Sequence, residues 1–245
     1  MVCDRMTRII QGPGTMAEDK IDSDRLRSIR LFADVGDGLV PSLVAAASLT
    51  HVAARTRLFT EGDSADVLSI LMKGSVELFS ERDDRRCTIA VFRSVEPLML
   101  ASIFANRHPY SAGTLERSLL LVLPAQLIRN LMDVDAPFTR EVARQLAQDH
   151  RHAIAELRRH RLRTTKQRLA EWMLDSNERA GGTGRFAIPY DKRTLASYLG
   201  MAPENLSRNL AALASAGVEV RGRRVILNDP TALAAVAGYD VTAAC

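Results

Sequence analysis

With 245 residues, the chain is long for one ordinary domain and comfortable for two. Apolar residues make up 47% and charged residues 25% of it, a globular mix that excludes disorder throughout. No apolar run approaches the ~18 residues a membrane span needs, and Met1–Met16 lack the apolar stretch of a secretory signal. The net charge of +4 is unevenly placed: residues 1–150 carry 18 basic and 20 acidic side chains, residues 151–245 carry 15 and 9. A basic C-terminal part points to nucleic acid at that end, although a solvated basic face would give the same count. Cys3, Cys87 and Cys245 form no cluster, which suits a reducing cytoplasm and offers no ligand set for zinc or an iron–sulfur cluster.

Residues 1–27 show no sustained period and read as a flexible tail, although Arg25–Phe32, like Pro41–Leu49, has the look of a short helix. From Thr50 to Leu123 short apolar runs alternate with turn residues. Arg57–Thr60, Val67–Met72, Val76–Phe79, Thr88–Phe92 and Leu119–Leu123 predict an antiparallel β-barrel or sandwich, in a domain spanning residues 28–136. Gln126–Met132 predicts a short helix, and Pro137 suits the first turn of a long one over 137–163. On that helix Val142, Leu146, His150, Ala153, Leu157 and His160 recur every three or four residues, a narrow stripe on a charged surface. Such a stripe suits a partner helix, hence a homodimer; packing on the chain's own sheet domain would use the same residues.

Thr164-Thr165-Lys166-Gln167 has the form of a capping box, so Arg161–Thr164 reads as a hinge before a second domain over 164–236, with 237–245 a second tail. After the glycine-rich loop Ala180–Gly184 and a short strand at Phe186–Pro189, Asp191 caps a short helix that ends at Gly200. Pro203 opens the next helix, and the pair forms a helix-turn-helix locked by Leu195, Ala196, Leu199, Leu206, Leu210 and Leu213. Glu204, Ser207 and Arg208 then face outward near the second helix's N-terminus, with Asn205 beside them, where a recognition helix meets base edges. Arginine suits guanine O6 and N7, and glutamate suits the cytosine amino group. Lys192, Arg193 and Thr194 are placed for phosphates. Val218–Val220 and Val225–Leu227 flank Arg221-Gly222-Arg223-Arg224, a hairpin wing whose Arg223 and Arg224 suit the DNA backbone. The fold class is thus α+β: an N-terminal antiparallel β-barrel, a long dimerisation helix and a C-terminal winged helix-turn-helix.

Residues 28–236, in that order of parts, resemble the Crp/Fnr family of bacterial transcription regulators. The stretch from Leu195 to Arg208 is similar to the family's recognition motif, and Glu204-x-x-Ser207-Arg208 to its Fnr branch. That resemblance implies palindromic sites with TTGA-like half-sites, a contact with RNA polymerase and the role of an activator. Phe59…Glu61-Gly62-Asp63 and Gly74–Leu78 look like the family's cyclic-nucleotide-binding-type barrel.

The chain departs from the cyclic-AMP type, which holds the nucleotide with a Gly-Glu pair, an Arg-Ser pair and hydroxyls. Val95–Ala101 and Pro109–Ala112 supply neither the glutamate nor the arginine, and Ala153 and Ile154 stand where the hydroxyls would be. A buried phosphate without its arginine would be a poorly paired charge, so cyclic AMP is not expected. Fnr's N-terminal cysteine cluster is reduced to Cys3, and Ala101 stands where the carbon-monoxide sensor has its haem histidine. Gly74–Phe79, Tyr110–Glu116 and Gly200–Arg208 resemble the NnrR/Dnr branch, which responds to nitric oxide and controls denitrification genes, with haem as suspected sensor. The apolar stretch Pro97–Phe104 suits a hydrophobic cofactor. Among the five histidines, His51, His108, His150, His152 and His160, the haem ligand is sought in His108, His150 and His152; Met99 reads as core. No metal site beyond that is assigned. Nothing resembles a P-loop, GxSxG, HExxH or usable GxGxxG element, so an enzyme is not expected. The alternatives are a Crp/Fnr-type regulator with another small effector or none and, from another class, a ligand-binding regulatory protein that does not bind DNA.

Overall fold

The structure is a computed structural model that describes residues 16–83, 85–93, 95–105 and 107–239. The expectations for Cys3, Cys245 and the outer parts of both tails lie outside these residues. The chain divides into two compact units, Met1–Arg151 and His152–Cys245.

In the first unit the strands are β1 (Met16–Asp19), β2 (Ser48–Val52), β3 (Arg57–Phe59), β4 (Val67–Lys73), β5 (Val76–Arg82), β6 (Arg85–Phe92), β7 (Glu96–Leu98), β8 (Ser111–Thr114) and β9 (Ser118–Pro124). They form two antiparallel sheets, in the orders β1-β2-β9-β4-β7 and β3-β8-β5-β6, rather than one closed barrel. Inward side chains of both, among them Val52, Leu71, Val76, Leu78, Leu120 and Val122, share one apolar core. The Lys73-Gly74-Ser75 turn requires glycine: Gly74 sits at φ +101°, and a Cβ there would collide with Ser118.

A second core fills the space between the five-stranded sheet and the helices Ser23–Arg27, Val40–Ala46 and Ala125–Val134. It corrects two expectations. The supposed tail is structured from residue 16: β1 pairs with β2, and Asp22 caps the Ser23–Arg27 helix, whose Leu26 is fully buried. The physical reason is that Ile21, Leu26, Ile29 and Phe32 supply the apolar surface that this face of the sheet must cover. The long helix runs Ala136–Leu162, and its first turns belong to the same core: Phe138 stacks on Phe32, and Val142 is 1% exposed. Val142 is therefore a core residue and not part of a dimer seam, and Leu146 packs partly against the same cluster.

The division into units falls inside the long helix. The second unit continues with a helix at Thr165–Arg179, then β10 (Arg185–Ala187) and helices at Lys192–Tyr198 and Pro203–Ala212. After these come β11 (Val218–Arg221), β12 (Arg224–Leu227) and a last helix, Pro230–Ala237. The sheet order is β10-β12-β11. The capping box at Thr164 forms in both directions. The C-terminal tail also begins later than expected: Ala237 is buried, and the Tyr239 hydroxyl donates to Glu171 Oε1 at 3.0 Å. Burial and that bond together push the Tyr239 phenol up to about 12.

Candidate nucleic-acid interface

The second unit builds its exposed face on a buried helix pair. Asp191 caps the first helix by accepting the Thr194 N–H at 2.8 Å. Burial pushes the Asp191 carboxyl up, but the bonds from Thr194 and the charge of Arg193 outweigh it and hold the group below its ordinary value. Leu195, Ala196, Leu199, Leu206 and Leu213 are buried to 3% exposure or less, and Leu210 to 9%, so the six residues expected to lock the motif do so. Between the helices Gly200 takes φ +62°, and a Cβ there would lie 2.9 Å from the His160 ring. Glycine at this turn is demanded both by conformation and by space.

Pro203 opens the recognition helix as its first residue. Glu204, Asn205, Ser207 and Arg208 are all exposed on it. Arg208 Nη2 donates to Asn205 Oδ1 at 2.7 Å, and the Ser207 hydroxyl donates back to the Pro203 carbonyl at 3.2 Å. Glu204 makes no hydrogen bond or ion pair among the described residues. Asn209 fixes the helix from behind, its Nδ2 donating to Thr165 Oγ1 at 3.2 Å.

Around this face Lys192, Arg193, Arg223 and Arg224 are exposed. The wing forms as expected, with Val218 to Arg221 paired against Arg224 to Leu227. A cleft of about 410 Å³ runs between recognition helix and wing, with Lys192, Ser207 and Arg221 among its lining residues. Two expected phosphate contacts are altered. Thr194 is 9% exposed, and its hydroxyl bonds the Asp191 carboxylate, so it serves the cap and not a ligand. Arg223 is tied to the sheet: its Nε donates to the Ile188 carbonyl at 2.8 Å, which leaves the two terminal nitrogens for a phosphate.

Sequence reasoning missed the groups that hold this face to the end of the long helix. Arg168, 7% exposed, donates to the carbonyls of Leu199 (2.9 Å), Arg163 (2.8 Å), Gly200 (3.2 Å) and His160 (3.4 Å). Burial lowers its pKa, and no carboxylate pairs with it among the described residues. Arg159 lies among Glu156 (2.6 Å), Glu171 (3.1 Å) and Asp175 (3.5 Å), which hold its charge against the cost of burial. The expected hinge at Arg161–Thr164 is therefore bonded into the second unit and is not a free joint. The available signal was an arginine four residues before Trp172, on the helix face that carries the apolar side chains.

The three histidines proposed for a cofactor differ sharply. His108 is 4% exposed and stacks on Phe59 with ring centroids 3.8 Å apart, and its Nδ1 has no partner among the described residues. Burial holds its pKa down against the opposing charges of Asp63 and Asp66. His150 and His152 are exposed on the long helix, as are Ala153, Ile154 and Leu157. Both imidazoles are open to solvent in the single chain, where an enclosed ligand was expected. Leu98, Leu100 and Ile103, from the stretch read as a cofactor wall, are buried in the two cores. Among the described residues no group of three or more His, Cys, Asp or Glu could hold a metal ion. Among the same residues no helix is long and apolar enough to cross a membrane.

Residues 167–236 match the Crp-like helix-turn-helix domain, and residues 49–135 match the cyclic nucleotide-binding domain. The transcriptional activator protein FnrA of Stutzerimonas stutzeri is 24% identical over 187 residues, covering 74% of this chain and 77% of its own. The fumarate and nitrate reduction regulatory protein of Salmonella typhimurium is 22% identical over 188 residues, covering 74% and 75%. The structure of FixK2 from Bradyrhizobium japonicum matches with a TM-score of 0.71 at 21% identity, covering 78% of this chain and 96% of that one. With its two domain matches in the same order as its two units, and the exposed recognition face in the second, the chain belongs to the Crp/Fnr family as a DNA-binding transcription regulator and not an enzyme.

Proposed function

We propose that the protein is a homodimeric activator that reads palindromic sites with TTGA-like half-sites. The observation that carries this is the exposed set Glu204, Ser207 and Arg208 on one helix, beside a wing bearing Arg221, Arg223 and Arg224. Two half-sites about 34 Å apart need two such helices related by a two-fold axis. The exposed Ala153, Ile154 and Leu157 supply an apolar face on the long helix for a second copy, with His150 at its edge. As an activator the protein would meet RNA polymerase in the cytoplasm, where the chromosome is. The test is binding to a palindromic duplex across a salt series. A phosphate-contacting dimer loses affinity steeply and log-linearly with salt, and binding that ignores salt would overturn the reading.

For the effector, the finer reading is a nitric-oxide response through haem, with genes of denitrification as targets. Its support is the resemblance of Gly74–Phe79 and Tyr110–Glu116 to the NnrR/Dnr branch, together with the buried nitrogen of His108, which has no partner among the described residues. A haem would supply an iron able to bind a diatomic gas, which by itself offers almost no contact area. The part left to this chain is to bury the group and to offer the His108 imidazole. Haem titration followed by absorption spectroscopy tests this: a discrete spectrum altered in His108→Ala supports it. A spectrum the substitution does not touch removes His108, and none at all removes haem.

A further inference from the structure

The recognition helix carries two opposite charges at the spacing that normally pairs them. Glu204 and Arg208 are four residues apart with the acid N-terminal, the favourable arrangement for an ion pair on a helix surface. They do not pair. Arg208 Nη2 instead donates to Asn205 Oδ1 at 2.7 Å, and Glu204 has no partner among the described residues. Building on the DNA-binding reading above, we propose that Asn205 is a positioning residue that holds Arg208 away from Glu204, so that each charge stays available for its own base.

The chemistry of each group supports this division. A guanidinium has five N–H donors, so one bond to Asn205 leaves enough for a bidentate grip on guanine O6 and N7. A free arginine side chain carries a large rotamer entropy, and a fork already tied to its helix has less to lose on binding. Glu204, left unpaired, keeps its oxygens for a cytosine amino group. An Arg208–Glu204 pair would quench both readers, and breaking it on contact with DNA would offset part of what the base contacts contribute. Asn205 itself is then not a reader. An asparagine grips adenine by accepting from N6 and donating to N7, and its Oδ1 is already engaged. The Ser207 hydroxyl spends its one hydrogen on the Pro203 carbonyl within the helix and keeps its lone pairs as acceptors.

The experiment is a double-mutant cycle on the full-length protein. It compares affinity for the palindromic duplex with affinity for a duplex whose half-site G·C pair is replaced by A·T. Asn205 is exposed, and the only described bond of its side chain is the one to Arg208, so the variants should unfold with the wild type when followed by Trp172 fluorescence. Asn205→Ala should lower the preference for G·C by about 5-fold or more, the lower end of what one bidentate pair contributes. In an Arg208→Ala background the same change should leave that preference where it stands. Asn205→Asp, which keeps the acceptor, should restore the preference even though its charge lowers affinity for both duplexes together. An equal loss in both backgrounds would show that Asn205 contacts DNA by itself, and an unchanged preference in Asn205→Ala would show that it positions nothing. Wild-type protein that binds neither duplex would instead remove the DNA-binding reading on which the proposal rests.

Discussion

Replacing Arg168 by methionine keeps an apolar stem of similar reach and removes the guanidinium. Three carbonyls, those of Leu199, Arg163 and Gly200, lose a donor at 2.8–3.2 Å, and the His160 carbonyl loses a longer one at 3.4 Å. Hydrogen bonds to a charged group contribute about 1.5–3 kcal/mol each, so the three shorter bonds amount to ~4.5–9 kcal/mol. Burying the cation without a carboxylate costs several kcal/mol, which the substitution recovers, so the net loss should be ~2–4 kcal/mol. At a urea dependence of ~2 kcal/mol per molar, the unfolding midpoint should fall by about 1–2 M. Trp172, the chain's single tryptophan, is 5% exposed in the same unit and donates to the Tyr190 hydroxyl at 3.1 Å, so its fluorescence reports this transition. Arg168→Lys should recover little, because one ammonium cannot copy a planar fork aimed at three carbonyls. A midpoint within about 0.3 M of wild type, well below the shift that the urea dependence predicts, would refute the role given to Arg168.

Three further outcomes follow from the same geometry. Ile154→Glu with Leu157→Glu should give folded monomers in sedimentation, whereas Val142→Glu should unfold the first unit, since Val142 is buried in its core. His160 is held below its ordinary pKa by burial first and by Arg168 next, so the unfolded chain takes up a proton that the folded one refuses. Stability of the second unit should be complete above the ordinary value of 6.5 and fall as pH drops through it, and His160→Gln should flatten that slope in urea titrations. Thr194→Ala should cost about 1 kcal/mol of stability through the weakened cap and leave the salt dependence of DNA binding unchanged, whereas Lys192→Ala should lower that slope by about one with stability intact.

The helix-turn-helix was legible because its signals are local. An aspartate cap, a turn glycine, a proline at the first helical position and leucines at helical spacing act within some twenty residues, and the structure uses each of them as expected. The wing, the capping box at Thr164 and most strands of the first unit were readable for the same reason. Tertiary packing decided the rest. Ile21 and Leu26 looked like part of a tail because nothing near them in sequence needs them, yet a sheet face far along the chain does. The stripe on the long helix has one period and two destinations: Val142 is buried in a core, while Ala153 and Leu157 remain exposed. Periodicity states that a face is apolar and cannot say what covers it. Arg168 showed in the sequence only as a charge on the apolar face of its helix; its partners were not legible, since they are backbone carbonyls, and a carbonyl is the same at every residue. Which carbonyls meet an arginine is decided by the fold alone.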